Sequence, residues 1–189
     1  MRIFTLVAVA ALWCSACGIE PCGKHEGDAT IRDSSDADKY ACHTRITGDL
    51  SVNANEGLSG FEMPHLVAID GDLRIIYNYV LKRFDLGSLV YVRGNVEIEG
   101  NSLLRDLNGL RSLSYIGGSL YIRSLHGERI NGELADISGL GSVESIAGDI
   151  WIESNPKLPT CAAEALVEQL IYFLGTTTIS GNDNTAVCD

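Results

Sequence analysis

The sequence predicts an all-β fold: a right-handed parallel β-solenoid of about six coils of 23–30 residues, with a C-terminal capping helix. Three observations lead there. First, the phrase Gly-x-[Leu/Val/Ile/Thr]-x-[Ile/Val]-x-x-Asn begins at Gly48, Gly71, Gly94, Gly148 and Gly175. A sixth copy at Gly118 has Leu125 where the Asn should stand, and a degenerate seventh starts at Gly27. Second, the spacings from Gly48 onward are 23, 23, 24, 30 and 27 residues, a period typical of stacked repeats. Third, the third and fifth residues of each phrase are mostly aliphatic and alternate with polar ones, the period of a half-buried strand.

The first sixteen residues stand apart from this pattern. Arg2 precedes the apolar run Ile3 to Trp13, which is too short to span a bilayer, and Cys14, Ser15 and Ala16 lead into Cys17. This is the pattern of a signal peptide, residues 1–16. Ser15-Ala16-Cys17 resembles a bacterial lipobox, although Cys14 stands where Leu is preferred, so Cys17 is the expected lipidation site. Cleavage after Ala16 by an ordinary signal peptidase is the alternative. Residues 17–26 are then expected to form an anchor or tether, and residues 27–188 a single solenoid domain with an N-terminal cap at 22–47 and a C-terminal helical cap at 159–188. Acyl chains at Cys17 would hold the protein on a membrane, each buried CH₂ contributing ~0.8 kcal/mol.

Cys22, Cys42, Cys161 and Cys188 remain after the leader and anchor are set aside, and four cysteines allow three pairings. Cys22 and Cys42 precede the first clear phrase, while Cys161 and Cys188 bracket the last. Pairing within each end is therefore expected, in an oxidising compartment. The four histidines, His25, His43, His65 and His126, are scattered, and neither a metal nor a cofactor is expected. The net charge is −11, and removal of the leader takes away only Arg2. Such an acidic chain disfavours nucleic acid and anionic membrane surfaces as partners.

Within each unit the expected inward set is Leu50/Val52, Leu73/Ile75, Val96/Ile98, Leu120/Ile122, Ile150/Ile152 and Thr177/Ile179. The glycines suit sharp corners, where a positive φ is open to them. Asn55, Asn78, Asn101, Asn155 and Asn182 are expected to form a ladder that satisfies backbone groups at a turn. Leu125 interrupts it, and the insertion 126–135 is expected to bulge as a loop, where function often resides. The helix is expected over Cys161 to about Leu174, with Thr160 as its N-cap and Leu166, Leu170 and Phe173 on one face. Ser34 to Ala41 is expected as a short N-terminal capping helix.

The outward columns are Ser51, Arg74, Glu97, Tyr121, Trp151, Thr178 and Asn53, Ile76, Glu99, Arg123, Glu153, Ser180. Arg74 is expected to pair with Glu97, and Arg123 with Glu99 and Glu153. Tyr121 and Trp151 should lie side by side. Tyr121, Trp151, Arg123 and Arg74 are accordingly the candidate ligand-binding residues. Asp49, Asp72 and Asp149 have the position of turn residues, and no catalytic residue is expected.

The repeated phrase, its partner run Leu107-Asn-Gly-Leu110-Arg-Ser-Leu113 with the echo Ile137-Ser-Gly-Leu140-Gly-Ser-Val143, and the Cys-bounded ends resemble the receptor L domain over Cys22 to Cys188. The resemblance implies a β-helix that binds proteins or glycans through a sheet face or corner, without naming a ligand. The expected protein is thus a non-enzymatic, monomeric envelope protein, an outer-membrane or surface lipoprotein, that binds an extracellular protein or glycan. A secreted or periplasmic location, a passive structural role and a polysaccharide-acting enzyme are the alternatives.

Overall fold

The computed structural model of the chain describes residues 20–54, 57–124 and 130–188. The leader, the proposed anchor Cys17, Asn55 and residues 125–129 lie outside them. In chain order the elements are β1 (Gly23–His25), β2 (Ala29–Ile31), α1 (Ser34–Tyr40), β3 (His43–Ile46), β4 (Leu50–Val52), β5 (Gly60–Glu62), β6 (Ala68–Ile69) and β7 (Leu73–Ile76). There follow β8 (Arg83–Asp85), β9 (Tyr91–Val92), β10 (Val96–Glu99), β11 (Tyr115–Ile116), β12 (Leu120–Arg123), β13 (Ser145–Ile146), β14 (Ile150–Glu153), α2 (Thr160–Glu168), β15 (Tyr172–Phe173) and β16 (Thr177–Ser180). Two 3-10 turns, Asn108–Leu110 and Ser138–Leu140, stand between β10 and β11 and between β12 and β13.

This architecture corrects the expected all-β right-handed solenoid of about six coils. The strands form three separate parallel sheets: β1-β3-β6-β9-β11-β13-β15, β16-β14-β12-β10-β7-β4-β2, and the pair β5-β8. With two α-helices among them, this is a parallel layout of the α/β type. The sequence pattern bounds one strand in each phrase, and the apolar residues three apart between phrases suggest only short strands and tight turns without fixing their number or limits. Each unit carries another strand just before the corner glycine, ending at Ile46, Ile69, Val92, Ile116 or Ile146, and most of these strands are only two residues long. So short a strand shows no alternation of its own; its pairing with neighbours defines it.

The interior follows the aliphatic columns. Ala29, Ile31, Leu50, Val52, Leu73, Ile75, Val96, Ile98, Leu120, Ile122, Ile150 and Ile152 are all fully buried. They meet Ile46, Ile69, Val92, Ile116 and Ile146 from the other large sheet, together with the Leu107/Leu110/Leu113 and Ile137/Leu140/Val143 runs. In the last strand the column fades, for Thr177 is exposed and Ile179 only half-buried. Phe61 and Phe84 stack at 5.7 Å between β5 and β8. In the next unit Gly109 leaves room for the Phe84 ring, whose Cδ2 would be 2.6 Å from any Cβ there.

The helical expectation at the C-terminal side also changes. The helix stops at Glu168, where the sequence pattern extended it to about Leu174. Gln169 Nε2 donates to Leu140 O and Val143 O, and the chain then extends to pair β15 with β13. Sheet pairing outweighs the apolar helical spacing of Leu166, Leu170 and Phe173. The cap residue is Pro159, and Thr160 Oγ1 bonds Asn184 Oδ1 at 2.5 Å instead of the helix N-terminus. The helix precedes the last two strands in the chain and packs against β16. At the other end, α1 packs on β2 and β5, with Asp33 Oδ1 accepting from Asp36 N at its N-cap.

Both disulfides, Cys22–Cys42 and Cys161–Cys188, are formed. They are compatible with an exported protein. Among the described residues no helix is long and apolar enough to cross a membrane.

Candidate functional site

Each phrase turns two corners, and each corner carries its own row of hydrogen bonds. At the glycine corner the second residue of the phrase accepts from the N–H of its counterpart one unit on. Asp28 accepts from Asp49, Asp49 from Asp72, Asp72 from Asn95, Asn95 from Ser119, Ser119 from Asp149, and Asp149 from Thr176, at 2.6–3.0 Å. Positive φ does not explain the corner glycines, since Gly48, Gly71, Gly94, Gly118, Gly148 and Gly175 all lack it. Close stacking does. A Cβ at Gly94 would overlap Asp72 Oδ1 and lie 2.8 Å from Gly71 C.

The asparagine corner is buried. Asn78, Asn101, Asn131 and Asn155 are fully excluded from solvent and Asn182 nearly so. The side-chain N–H₂ groups donate to Val52, Ile75, Ile98, Ile122 and Ile152 carbonyls respectively, at 2.7–3.0 Å. Their Oδ1 atoms receive backbone or side-chain N–H groups from neighbouring units. The row is not interrupted at the fourth unit, which corrects the reading of Leu125 as a missing rung. Asn131, six residues later, takes the place, bonding Asn155 Oδ1 at 3.0 Å and receiving Asn101 N at 2.9 Å. The signal was present in the sequence: Asn78, Asn101, Asn131 and Asn155 each precede a buried Leu by three residues. The residue just before the Asn sits at positive φ in four units, as Tyr77, Gly100, Ser154 and Gly181.

These corners hold the outward face of β7, β10, β12 and β14 in strict register, and the candidate binding residues meet there. Tyr121 lies opposite Trp151, and Arg123 opposite Glu153 and Glu99. The Tyr121 and Trp151 rings stack at 4.9 Å with 10° between their planes. Arg123 Cζ lies 4.6 Å from the Tyr121 ring centroid while its Nε donates to Glu99 Oε1 at 2.6 Å. Glu99, expected on the outward face, is buried by this contact and its neighbours at 4% exposure. Glu153 accepts from Ser180 Oγ at 2.9 Å, where a bond to Arg123 was expected.

Arg74 stands at the other side of the face. It bonds Asp49 at 2.6 Å, Glu97 at 3.3 Å, and Asp72, linking the corner carboxylates to the sheet. Burial pushes the Glu97 carboxyl above its ordinary value; Arg74 opposes this and Glu99 adds to it. Asp49 is held below the usual carboxylate range, chiefly by the Asp72 backbone N–H, against a smaller effect of burial. The Thr176 backbone N–H does the same for Asp149. The carboxylates of this face are thus occupied with Arg74, Arg123, Ser180 and backbone donors.

Two arrangements escaped the sequence reading. Tyr91 and Tyr115 stack at 4.9 Å and 7° on the other large sheet, where β9 and β11 place them in register. Near the N-terminus, β1 and β3 bring His25 within 5.3 Å of His43, and Tyr40 packs edge-on against His25 at 5.0 Å. Ligand atoms of Cys22, Cys42 and His43 lie within 4.8 Å of one another, but the two sulfurs are bonded together. A separate cavity of about 330 Å³ lies between α1 and β5, lined by Ala37, Asp38, Phe61, Glu62 and Arg83 among others. Of the 126–135 insertion, residues 126–129 fall outside the described residues; Glu133 pairs with Lys157 at 2.7 Å.

No family model, curated protein or solved structure matches the chain.

Proposed function

We propose that this chain is an exported, non-enzymatic binding module of the cell envelope, which engages an extracellular glycan or protein across the face of β7, β10, β12 and β14. One observation carries the reading: the Tyr121–Trp151 stack, with Arg123 over the Tyr121 ring, set in a sheet face otherwise lined by ordered charge. On the far side of Trp151 the register places the small Thr178, so a pyranose ring can lie against the indole. Its C–H face would pack on the aromatic surface while its hydroxyls reach Arg123 and the carboxylates. The engagement of Glu97 and Glu99 with Arg74 and Arg123 supports binding over catalysis, since a hydrolase needs carboxyl groups free to hold substrate and water.

The resemblance of the phrase to the receptor L domain supports the same assignment, and the leader with Cys17 supports attachment as an outer-membrane or surface lipoprotein. Glycan-array and pull-down binding should be lost in the double variant Tyr121→Ala/Trp151→Ala with the fold intact. Undiminished binding by that variant sinks the site. Mass spectrometry of the mature N-terminus tests lipidation at Cys17. Depolymerase activity abolished by Glu97→Gln would overturn the non-enzymatic reading.

A further inference from the structure

We infer that β16 is the edge through which two copies of this chain pair, in antiparallel fashion about a two-fold axis. In the preceding strands of its sheet the first residue donates its N–H onward: Leu50 to Asp72 O, Leu73 to Asn95 O, Val96 to Ser119 O, Leu120 to Asp149 O and Ile150 to Thr176 O, at 2.8–3.0 Å. Thr177 and Ile179 occupy the register of Ile150 and Ile152. Their N–H and C=O groups therefore point off the sheet, and β16 is its last strand among the described residues.

Exposed strand edges are ordinarily blunted by charge, Pro or a covering element. β16 carries neither charge nor Pro, and α2, which packs against it, leaves Thr177 and Thr178 exposed among the described residues. Gln169–Asn182, which contains β15 and β16, has no charged residue in a chain that is 21% charged. The same stretch exposes Ile171 and Leu174 at 79% each and Tyr172 at 58%. Both ends carry a helix packed on the end strand and a disulfide, but the opposite end is charged, with Lys24, Glu26, Asp28, Arg32 and Asp36 in and around β1, β2 and α1.

A second copy is the occupant that these facts select. With a net charge of −11, two copies repel over most of their surfaces and can approach through a neutral one. The charged N-terminal end offers no neutral counterpart for head-to-tail stacking. The outward donors and acceptors of Thr177 and Ile179 are self-complementary: in an antiparallel pair, Thr177 of one copy faces Ile179 of the other, and Thr178 faces its own counterpart. This departs from the monomer that the sequence suggested.

Sedimentation velocity of the full mature chain over a concentration series should show a reversible dimer. Thr177→Pro removes only an outward N–H, and Ile171→Lys/Leu174→Lys charges two exposed side chains. Each should weaken dimerisation about tenfold or more, a loss readable directly in Kd, with melting and near-ultraviolet dichroism unchanged. If the proline variant unfolds, the lysine pair decides. Thr178→Cys, oxidised with oxidised glutathione, should yield a chain-to-chain disulfide, two thiols giving up two protons and two electrons to the reagent. A monomer at every soluble concentration, a dimer indifferent to the lysine pair, or no cross-link at Thr178→Cys would each overturn the proposal.

Discussion

The two corners of the repeat solve the same problem with different chemistry. At the glycine corner, Asp28, Asp49, Asp72, Asn95, Ser119 and Asp149 succeed one another in a single role. At the other corner, Asn78, Asn101, Asn131, Asn155 and Asn182 are all the same residue. The glycine corner needs only an acceptor for one N–H, and it is partly solvated, so carboxylate, amide and hydroxyl all serve. The buried corner needs an acceptor and a donor on one short side chain, without charge. Asn supplies both, and a buried unpaired group there costs about 1–3 kcal/mol.

Identical substitutions at the two corners should therefore have unequal effects. Asn101→Asp, which buries a carboxylate and removes the donor to Ile75 O, should lower unfolding free energy by about 3–5 kcal/mol in urea titrations at neutral pH. Asn95→Asp, six residues earlier, retains the acceptor for Ser119 N and should cost about 1 kcal/mol or less. Equal losses would refute the distinction. Gly94→Ala, forced against Asp72 and the Gly71 backbone, should cost about 2–3 kcal/mol.

A smaller effect of opposite sign is expected beside the buried corner. Ser154 stands at φ 59° in the position that Gly100 and Gly181 fill elsewhere. Ser154→Gly should stabilise by up to about 1 kcal/mol, seen as a raised melting temperature, because glycine adopts the left-handed region without strain. Should it destabilise, relief of strain is not the governing effect at that position.

The smallest effect concerns pH. Asp49 and Asp149 titrate lower in the folded chain than their ordinary 3.8, so their stabilisation is present above that value and is lost as pH falls through their lowered folded values. Glu97 titrates higher than its ordinary 4.5, so its burial penalty is relieved as pH falls through its raised value towards 4.5. Thermal melts should show a shallow rise below neutrality before acid unfolding. Glu97→Gln should abolish that rise while leaving the acid limb in place.

Much of this was legible from residue pattern. The phrase located the strands of one sheet, their buried aliphatic columns, the neighbouring positions of Tyr121 and Trp151, and the Arg74–Glu97 and Arg123–Glu99 pairs. The bounds of the two-residue strands from β6 to β15 were not legible, because two residues have no period; the apolar spacing between phrases suggested only that short strands lie there. Asn131 was missed because counting from Gly118 placed the turn before the insertion, whereas the Asn-x-x-Leu spacing locates it after. The burial of Glu99 was hidden for a related reason: alternation places a side chain on a face but does not say what covers it.

The sequence by itself determined which side chains could stack, since a repeat of about 23 residues brings like beside like once the strands run parallel. It also determined, through the placement of four cysteines, how the ends are tied. Tertiary structure alone decided the division into three sheets, the early end of α2, and the cause of the corner glycines. Those outcomes depend on contacts between units, where Gln169 finds carbonyls of Leu140 and Val143 and where one corner lies directly against the next.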